Sequence, residues 1–126
     1  MEVGERVFYS LDDSKPVFQQ IKEMIEDDIV TGVLKEEEQI PSTNQLVAYY
    51  KINPATILKG FNLLVDEGII YKKRGLGMFV CSGALAILRE KRLKSFQEQY
   101  VQPMLREATQ LEIGMEDIIQ MIKGGK

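Results

Sequence analysis

Between Ile40 and Val80 the chain starts two helices eleven residues apart and then turns a glycine-tipped hairpin. Few folds accommodate that order. Ser42 is a good N-cap, and Gln45 three residues later completes a capping box. Leu46, Val47 and Tyr50 then give one apolar side over about two turns. Asn53 is a second N-cap, followed by Pro54 at the first helical position, where its missing N–H costs nothing. Ile57, Phe61, Leu64 and Val65 keep helical spacing to Asp66, and Gly68 ends the helix. Ile69 to Lys73 and Met78 to Cys81 read as short strands around Arg74-Gly75-Leu76-Gly77. A short helix, a tight turn and a capped second helix is the sequence form of a helix-turn-helix, and the hairpin behind it has the form of a wing.

The flanks take their roles from that centre. Val7, Tyr9 and Leu11 alternate with Phe8 and Ser10, the pattern of a short strand or extended arm. Asp12 to Lys15 is a loop. Pro16 opens a helix with an apolar stripe at Val17, Ile21, Met24, Ile25 and Ile29, and Gly32 stops it. After Ser82-Gly83, apolar residues recur along one side for nearly thirty positions: Leu85, Leu88, Leu93, Phe96, Tyr100, Met104, Ala108 and Leu111. Pro103 falls inside this run and should kink or break it near Tyr100. Gly114 ends it, and Met115 to Ile122 reads as a terminal helix with Ile118, Ile119 and Ile122 apolar. One long and one short helix cannot enclose their own apolar surface, so a second copy of the chain is the simplest partner. The expected fold class is mainly α with a small β-hairpin, divided into a winged helix-turn-helix over 1–81 and a helical dimerisation region over 82–126.

Charge is distributed unevenly. The chain carries a net charge of −3, yet residues 1–38 hold 4 Lys/Arg against 11 Asp/Glu, while residues 39–94 hold 9 against 3. A locally basic surface is what a polyanion site requires, whatever the total. No apolar run reaches the ~18 residues that span a bilayer. The opening Met1 to Arg6 has neither the basic start nor the apolar core of a signal peptide. The single Cys81 cannot form an internal disulfide. These features point to a cytoplasmic protein. With no histidine and one cysteine, His-assisted nucleophilic sites and the common zinc sites are excluded, and neither an enzyme, a metal nor a cofactor is expected. Glu36-Glu37-Glu38 reads as a solvated turn, since consecutive carboxylates do not converge on one ion. Asp27-Asp28 is placed on an exposed helix face. Gly75-x-Gly77 lacks the following Gly-Lys-Ser/Thr and helix of a phosphate loop.

The residues from Pro16 to Val80 resemble the GntR family of bacterial transcription regulators. The signature runs through Pro16-Val17-Phe18-Gln19-Gln20-Ile21, Thr31-Gly32-Val33-Leu34, Ile40-Pro41-Ser42, Asn53-Pro54-Ala55-Thr56-Ile57, Asp66-Glu67-Gly68-Ile69-Ile70 and Arg74-Gly75-Leu76-Gly77-Met78-Phe79-Val80. The Asn-Pro-x-Thr start of the second helix is similar to the YtrA-like branch. That branch uses its short helical C-terminal region for dimerisation and typically represses operons containing ABC transporter genes. The resemblance therefore implies a repressor that binds double-stranded DNA as a homodimer.

The second helix should enter the major groove by its N-terminal end. The expected DNA-contacting set is Ser42, Thr43 and Asn44 at the first helix start, Asn53, Ala55, Thr56 and Lys59 on the second helix, and Lys73, Arg74, Gly75, Leu76 and Gly77 on the hairpin. Ala55 or the Thr56 methyl suits a thymine methyl, and Lys59 a phosphate. Tyr9 and Lys15 are further candidates for backbone contact. Ser42 and Asn53 are explained first as caps. Many family members carry arginine where this chain has Asn44, Pro54 and Leu58, so arginine-based base readout is not expected; Leu58 is either partly buried or makes apolar contact. Dimerisation is assigned to Leu85, Leu88, Leu93, Phe96, Tyr100, Met104, Leu111, Ile118 and Ile122. Two half-sites ~34–36 Å apart would then make a near-palindromic operator. Met104, Met115 and Met121 leave room for a small apolar effector, against the plainer reading of core or interface filler. The competing function is a winged helix that contacts protein without sequence-specific DNA binding.

Overall fold

The computed structural model describes residues 2–3, 6–7 and 11–124, with side chains from Leu11 onward. In chain order the elements are β1 (Glu2–Val3), β2 (Arg6–Val7), α1 (Val17–Val30), α2 (Thr43–Tyr50), α3 (Pro54–Asp66), β3 (Ile70–Lys73), β4 (Gly77–Val80), α4 (Ala84–Phe96), a π-helical turn (Gln97–Val101), α5 (Gln102–Gln110) and α6 (Met115–Gly124). The chain divides into two compact units, Met1–Arg89 and Glu90–Lys126.

In the first unit, α1 buries Ile21, Met24, Ile25 and Ile29, the stripe read from the sequence. Pro16 stands one residue before this helix as its cap rather than inside it. α2 starts at the expected capping box, with Gln45 N–H donating to Ser42 Oγ at 3.0 Å and Ser42 N–H to Gln45 Oε1 at 2.8 Å. α3 starts at Asn53 and buries Ile57, Gly60, Phe61 and Leu64. Its end is closed by Gly68 N–H to Val65 O and Ile69 N–H to Leu64 O, satisfying carbonyls that the helix leaves without partners. β3 and β4 pair antiparallel in the register Ile70↔Val80, Tyr71↔Phe79, Lys72↔Met78 and Lys73↔Gly77.

The packing of α1 on α3 depends on one residue without a side chain. A Cβ added at Gly60 would lie 2.7 Å from the backbone oxygen of Phe18 and 3.6 Å from the Ile21 side chain. At the end of α3, the Lys22 ammonium lies 3.1 Å from Glu26 and 3.2 Å from Glu67, tying α1 to the α3 terminus. Asp28 is 4% exposed, which corrects the expectation of an exposed Asp27-Asp28 pair. It lies four residues beyond Met24, on the buried side of the same stripe.

The acidic triplet is also more than a solvated turn. Glu36 Oε2 accepts from Leu85 N–H at 3.1 Å, Glu37 accepts from the Tyr71 hydroxyl and from Ser82 Oγ, and Glu38 accepts from Lys35 N–H. Glu36 thereby supplies an acceptor and a negative charge at the start of α4, whose first N–H groups have no intrahelical acceptor.

α4 begins inside the winged-helix core. Ala84 is buried, Leu88 is 1% exposed, and Leu85 packs against the same cluster. Leu88 is therefore enclosed by this chain's own core, and Leu85 lies partly buried against it. For the same reason the first unit extends past the Ser82 junction expected from the sequence. Pro103 does not break the helical run. The ladder widens to a π turn, with Gln102 N–H donating to Gln97 O, and Pro103 then sits in the first turn of α5, where it needs no acceptor. α5 stops before Gly114: Glu112 takes a left-handed φ of 57°, and Ile113 N–H bonds Ala108 O. At the N-terminus, Val7 lies in β2 and Leu11 in no strand, while residues 8–10 of the 7–11 alternation lie outside the described residues. Tyr9 lies outside the described residues.

Replacing Gly60 by Ala should lower the melting temperature of the protein. Overpacking of ~1–3 kcal/mol opposes the ~1 kcal/mol by which alanine favours a helix. A raised melting temperature would show that α1 can retreat from α3 at no cost.

Candidate nucleic-acid interface

Three elements of the first unit line one open groove of about 510 Å³. The start of α2 contributes Ser42, Thr43 and Asn44; α3 contributes Leu58, Asn62 and Val65; the hairpin contributes Lys72, Gly77 and Met78. Local sequence rules produce each wall. The capping box fixes where α2 begins, and Asn53 fixes where α3 begins, its Oδ1 accepting from Ala55 N–H at 2.8 Å. Their cap oxygens are engaged in these bonds, so Ser42 and Asn53 shape the site first. Thr43 is half-buried and Asn44 exposed beside the free end of α2.

Along α3 the core takes Ile57, Phe61 and Leu64, leaving Ala55, Leu58, Asn62 and Val65 exposed at i, i+3, i+7 and i+10. Thr56 is half-buried. Lys59 is exposed, but its ammonium lies 4.1 Å from the centre of the Phe18 ring on α1, a cation–π contact. Asn62 and Val65 are absent from the set expected from the sequence, although their helical phase with Ala55 and Leu58 is visible there.

The hairpin carries the densest positive charge. Lys72, Lys73 and Arg74 are exposed, and Leu76 stands out at the tip. Lys73 Nζ lies 4.4 Å from the Phe79 ring centre, held along the hairpin by its aromatic ladder. The turn is closed by Leu76 N–H to Lys73 O, with Gly75 at φ +80°. Gly77 takes φ +123°, a conformation that favours glycine, and a Cβ there would lie 2.6 Å from the amide end of the Gln39 side chain. That amide donates to Leu76 O at 2.7 Å and so braces the tip, while the 37–40 segment pairs along β4 through Ile40 N–H to Met78 O and Val80 N–H to Glu38 O. Gln39 carries no signal in the sequence, because its partner lies 37 positions away. Lys15 pairs with Glu23 of α1 at 2.8 Å.

Glu37 joins the base of the hairpin to Ser82. The Tyr71 hydroxyl, then the Ser82 hydroxyl, hold its carboxyl below the usual carboxylate range, and the same bond raises the Tyr71 phenol.

The comparisons with known proteins agree with this arrangement. The family model described as bacterial regulatory proteins, gntR family, matches residues 18–80. The chain is 29% identical over 119 residues to the HTH-type transcriptional repressor YtrA of Bacillus subtilis (strain 168), a match covering 90% of this chain and 92% of that protein. Several other curated relatives match over about half of this chain and under a third of their own length. Among solved structures, a GntR family transcriptional regulator from Listeria monocytogenes superposes with a TM-score of 0.73 at 30% identity, over 90% of this chain and 97% of that one. The AraR DNA-binding domain, solved in complex with operator ORE1, superposes with a TM-score of 0.51 at 31% identity, over 60% of this chain and 95% of that one.

Because the folded pKa of Glu37 lies below the unfolded one, its contribution is complete above the unfolded value and is lost as pH falls through the folded value. The melting temperature of the parent should exceed that of Glu37→Gln at pH 7, and the gap should narrow as pH falls below the ordinary glutamate value of 4.5. A gap that stays constant with pH would locate the effect in packing rather than charge.

Proposed function

This chain belongs to the GntR family of bacterial regulatory proteins, and on that premise we propose that it is a sequence-specific transcriptional repressor acting on double-stranded DNA as a homodimer. The observation that carries the reading is the shared groove: the start of α2, the exposed face of α3 and the basic hairpin border one concavity. That is the arrangement a duplex meets when a recognition helix enters the major groove and a wing reaches the adjacent backbone or minor groove. The exposed N–H end of α2 suits a phosphate. Lys72, Lys73 and Arg74 supply the attraction at the wing, where a narrow minor groove concentrates negative potential. The role of YtrA as a repressor and the operator-bound state of AraR support the direction and the partner.

The second unit supports the homodimer. Among the described residues of that unit only Ala108 and Ile118 are buried, while Leu93, Phe96, Tyr100, Met104, Leu111, Met121 and Ile122 are exposed. Phe96 and Tyr100 lie 5.7 Å apart, ring centre to ring centre, in one patch that spans the π turn. Contiguous apolar surface of this kind marks an interface more often than a solvated face. Ile118 belongs to the interior that supports the patch. Two copies joined here would present two α3 helices to two half-sites of a near-palindromic operator. Among the described residues no helix is long and apolar enough to cross a membrane.

Fluorescence anisotropy on duplex DNA from upstream of its own gene, titrated with salt and controlled by a scrambled duplex, tests the reading. Preference for the native duplex is expected, with log K falling linearly in log salt. Alanine at Lys72, Lys73 and Arg74 together should flatten the slope by ~0.9 for each phosphate that is no longer neutralised. Equal weak binding to both duplexes, unchanged by the triple substitution, would favour a protein-contact module instead.

Sedimentation equilibrium should give a dimer for the parent and a monomer for the Phe96→Asp, Tyr100→Asp double variant, with weaker operator binding by the latter. A monomeric parent that still binds the native duplex specifically would remove the dimer from the reading.

A further inference from the structure

The line of Ala55, Leu58, Asn62 and Val65 on α3 carries no arginine or lysine, the side chains that most often read guanine. Leu58 is 48% exposed, although Ile57, Phe61 and Leu64 already meet the needs of the core. Its neighbours on that face are Ala55, Asn62 and Val65, none of them charged. Lys59, the one cation within α3, has its ammonium over Phe18 rather than beside Leu58. Apolar surface at the wall of a groove bordered by Lys72, next to Lys73 and Arg74, requires a partner that is polyanionic outside and locally apolar inside.

We propose that Leu58 is a specificity-determining residue that reads the C5 methyl of a thymine in each operator half-site. The inference rests on the DNA-binding reading above and sharpens it. In the major groove guanine offers two acceptors, adenine an acceptor and a donor, and cytosine a donor; thymine alone adds a methyl group. A leucine against the first three strands a polar edge without water or a hydrogen bond, and only the thymine methyl matches its surface. The division of labour is then set by the structure. The hairpin cations contribute attraction independent of sequence, and α3 contributes discrimination through shape and apolar contact. The Asn62 amide lies one turn further along the same face.

The test selects preferred duplexes from a random pool with the full chain. Each thymine of the best duplex is then replaced singly by deoxyuridine, which removes only the methyl group. At one thymine per half-site, deoxyuridine should weaken binding roughly fourfold, the effect of one buried methyl-sized group. Leu58→Ala should bind the parent duplex more weakly, show no difference between thymine and deoxyuridine at that place, and keep the salt slope of the parent chain. An unchanged slope shows that the phosphate contacts, and hence the folded interface, are intact. A selected duplex with no deoxyuridine-sensitive thymine would overturn the inference while leaving sequence-specific binding in place. Sensitivity retained in full by Leu58→Ala would also overturn it, by assigning the methyl contact to another side chain. Failure of the pool to yield any preferred duplex would overturn the DNA-binding reading itself, and the inference with it.

Discussion

The close approach of α1 and α3 at Gly60 sets how α3 sits in the first unit and which of its faces is left outward. A helix pair normally keeps 8–10 Å between axes because side chains fill the gap. Here a residue with no side chain meets a backbone oxygen, and the space for even one Cβ is absent. The same Phe18 that supplies this oxygen also lies under the Lys59 ammonium. One residue of α1 thus sets both how far α3 can sink and where the adjacent cation lies. With Ile57, Phe61 and Leu64 buried by that contact, the opposite face of α3 has no alternative but to face outward.

A second constraint works at the other end of the first unit. The Glu36-Glu37-Glu38 run satisfies three separate parts of the chain: the start of α4, the Tyr71 and Ser82 hydroxyls, and the local turn. Carboxylates are costly to bury and cheap to leave in water, so they serve well at a junction that stays near the surface. Their hydrogen bonds set the register between hairpin and helix, while Ala84 and Leu88 supply the hydrophobic contribution beneath.

Much of this is legible in the sequence because it is local. The caps at Ser42 and Asn53, the stripes of α1 and α3, and the hairpin glycines are rules acting over a few residues. What escapes depends on residues far apart or on competition between rules. The partners of Gln39 and Glu37 lie 34 to 45 positions away. Asp28 reads as exposed by residue type, yet it is buried because its helical phase follows Met24. The apolar run through Leu85 and Leu88 continues into Leu93 and Phe96 with no break in pattern, so the sequence does not mark the point at which it leaves the core. Pro103 does perturb the helix, as its residue type requires, but the run continues through five residues of wider helix rather than breaking. At the interface, the sequence places the right elements, whereas the diversion of Lys59 toward Phe18 and the line of Leu58, Asn62 and Val65 on the groove emerge only in three dimensions.

That diversion bears on how a regulator of this kind can be selective. A recognition helix studded with arginines gains affinity and base discrimination from the same groups, so each substitution alters both. In this chain three adjacent cations lie on the hairpin, the one cation of α3 is turned toward Phe18, and the outward face of that helix is apolar with one amide. Attraction falls with salt in proportion to the phosphates engaged, while apolar contact with a base edge barely depends on it. Separating the two lets residues of α3 change the preferred sequence without changing the pull toward DNA. It also leaves each half-site contact individually weak. In the proposed dimer the missing strength would come from the second copy, since binding by one half raises the effective concentration of the other. The exposed apolar patch of the second unit and the uncharged face of α3 are, on this argument, two consequences of one design.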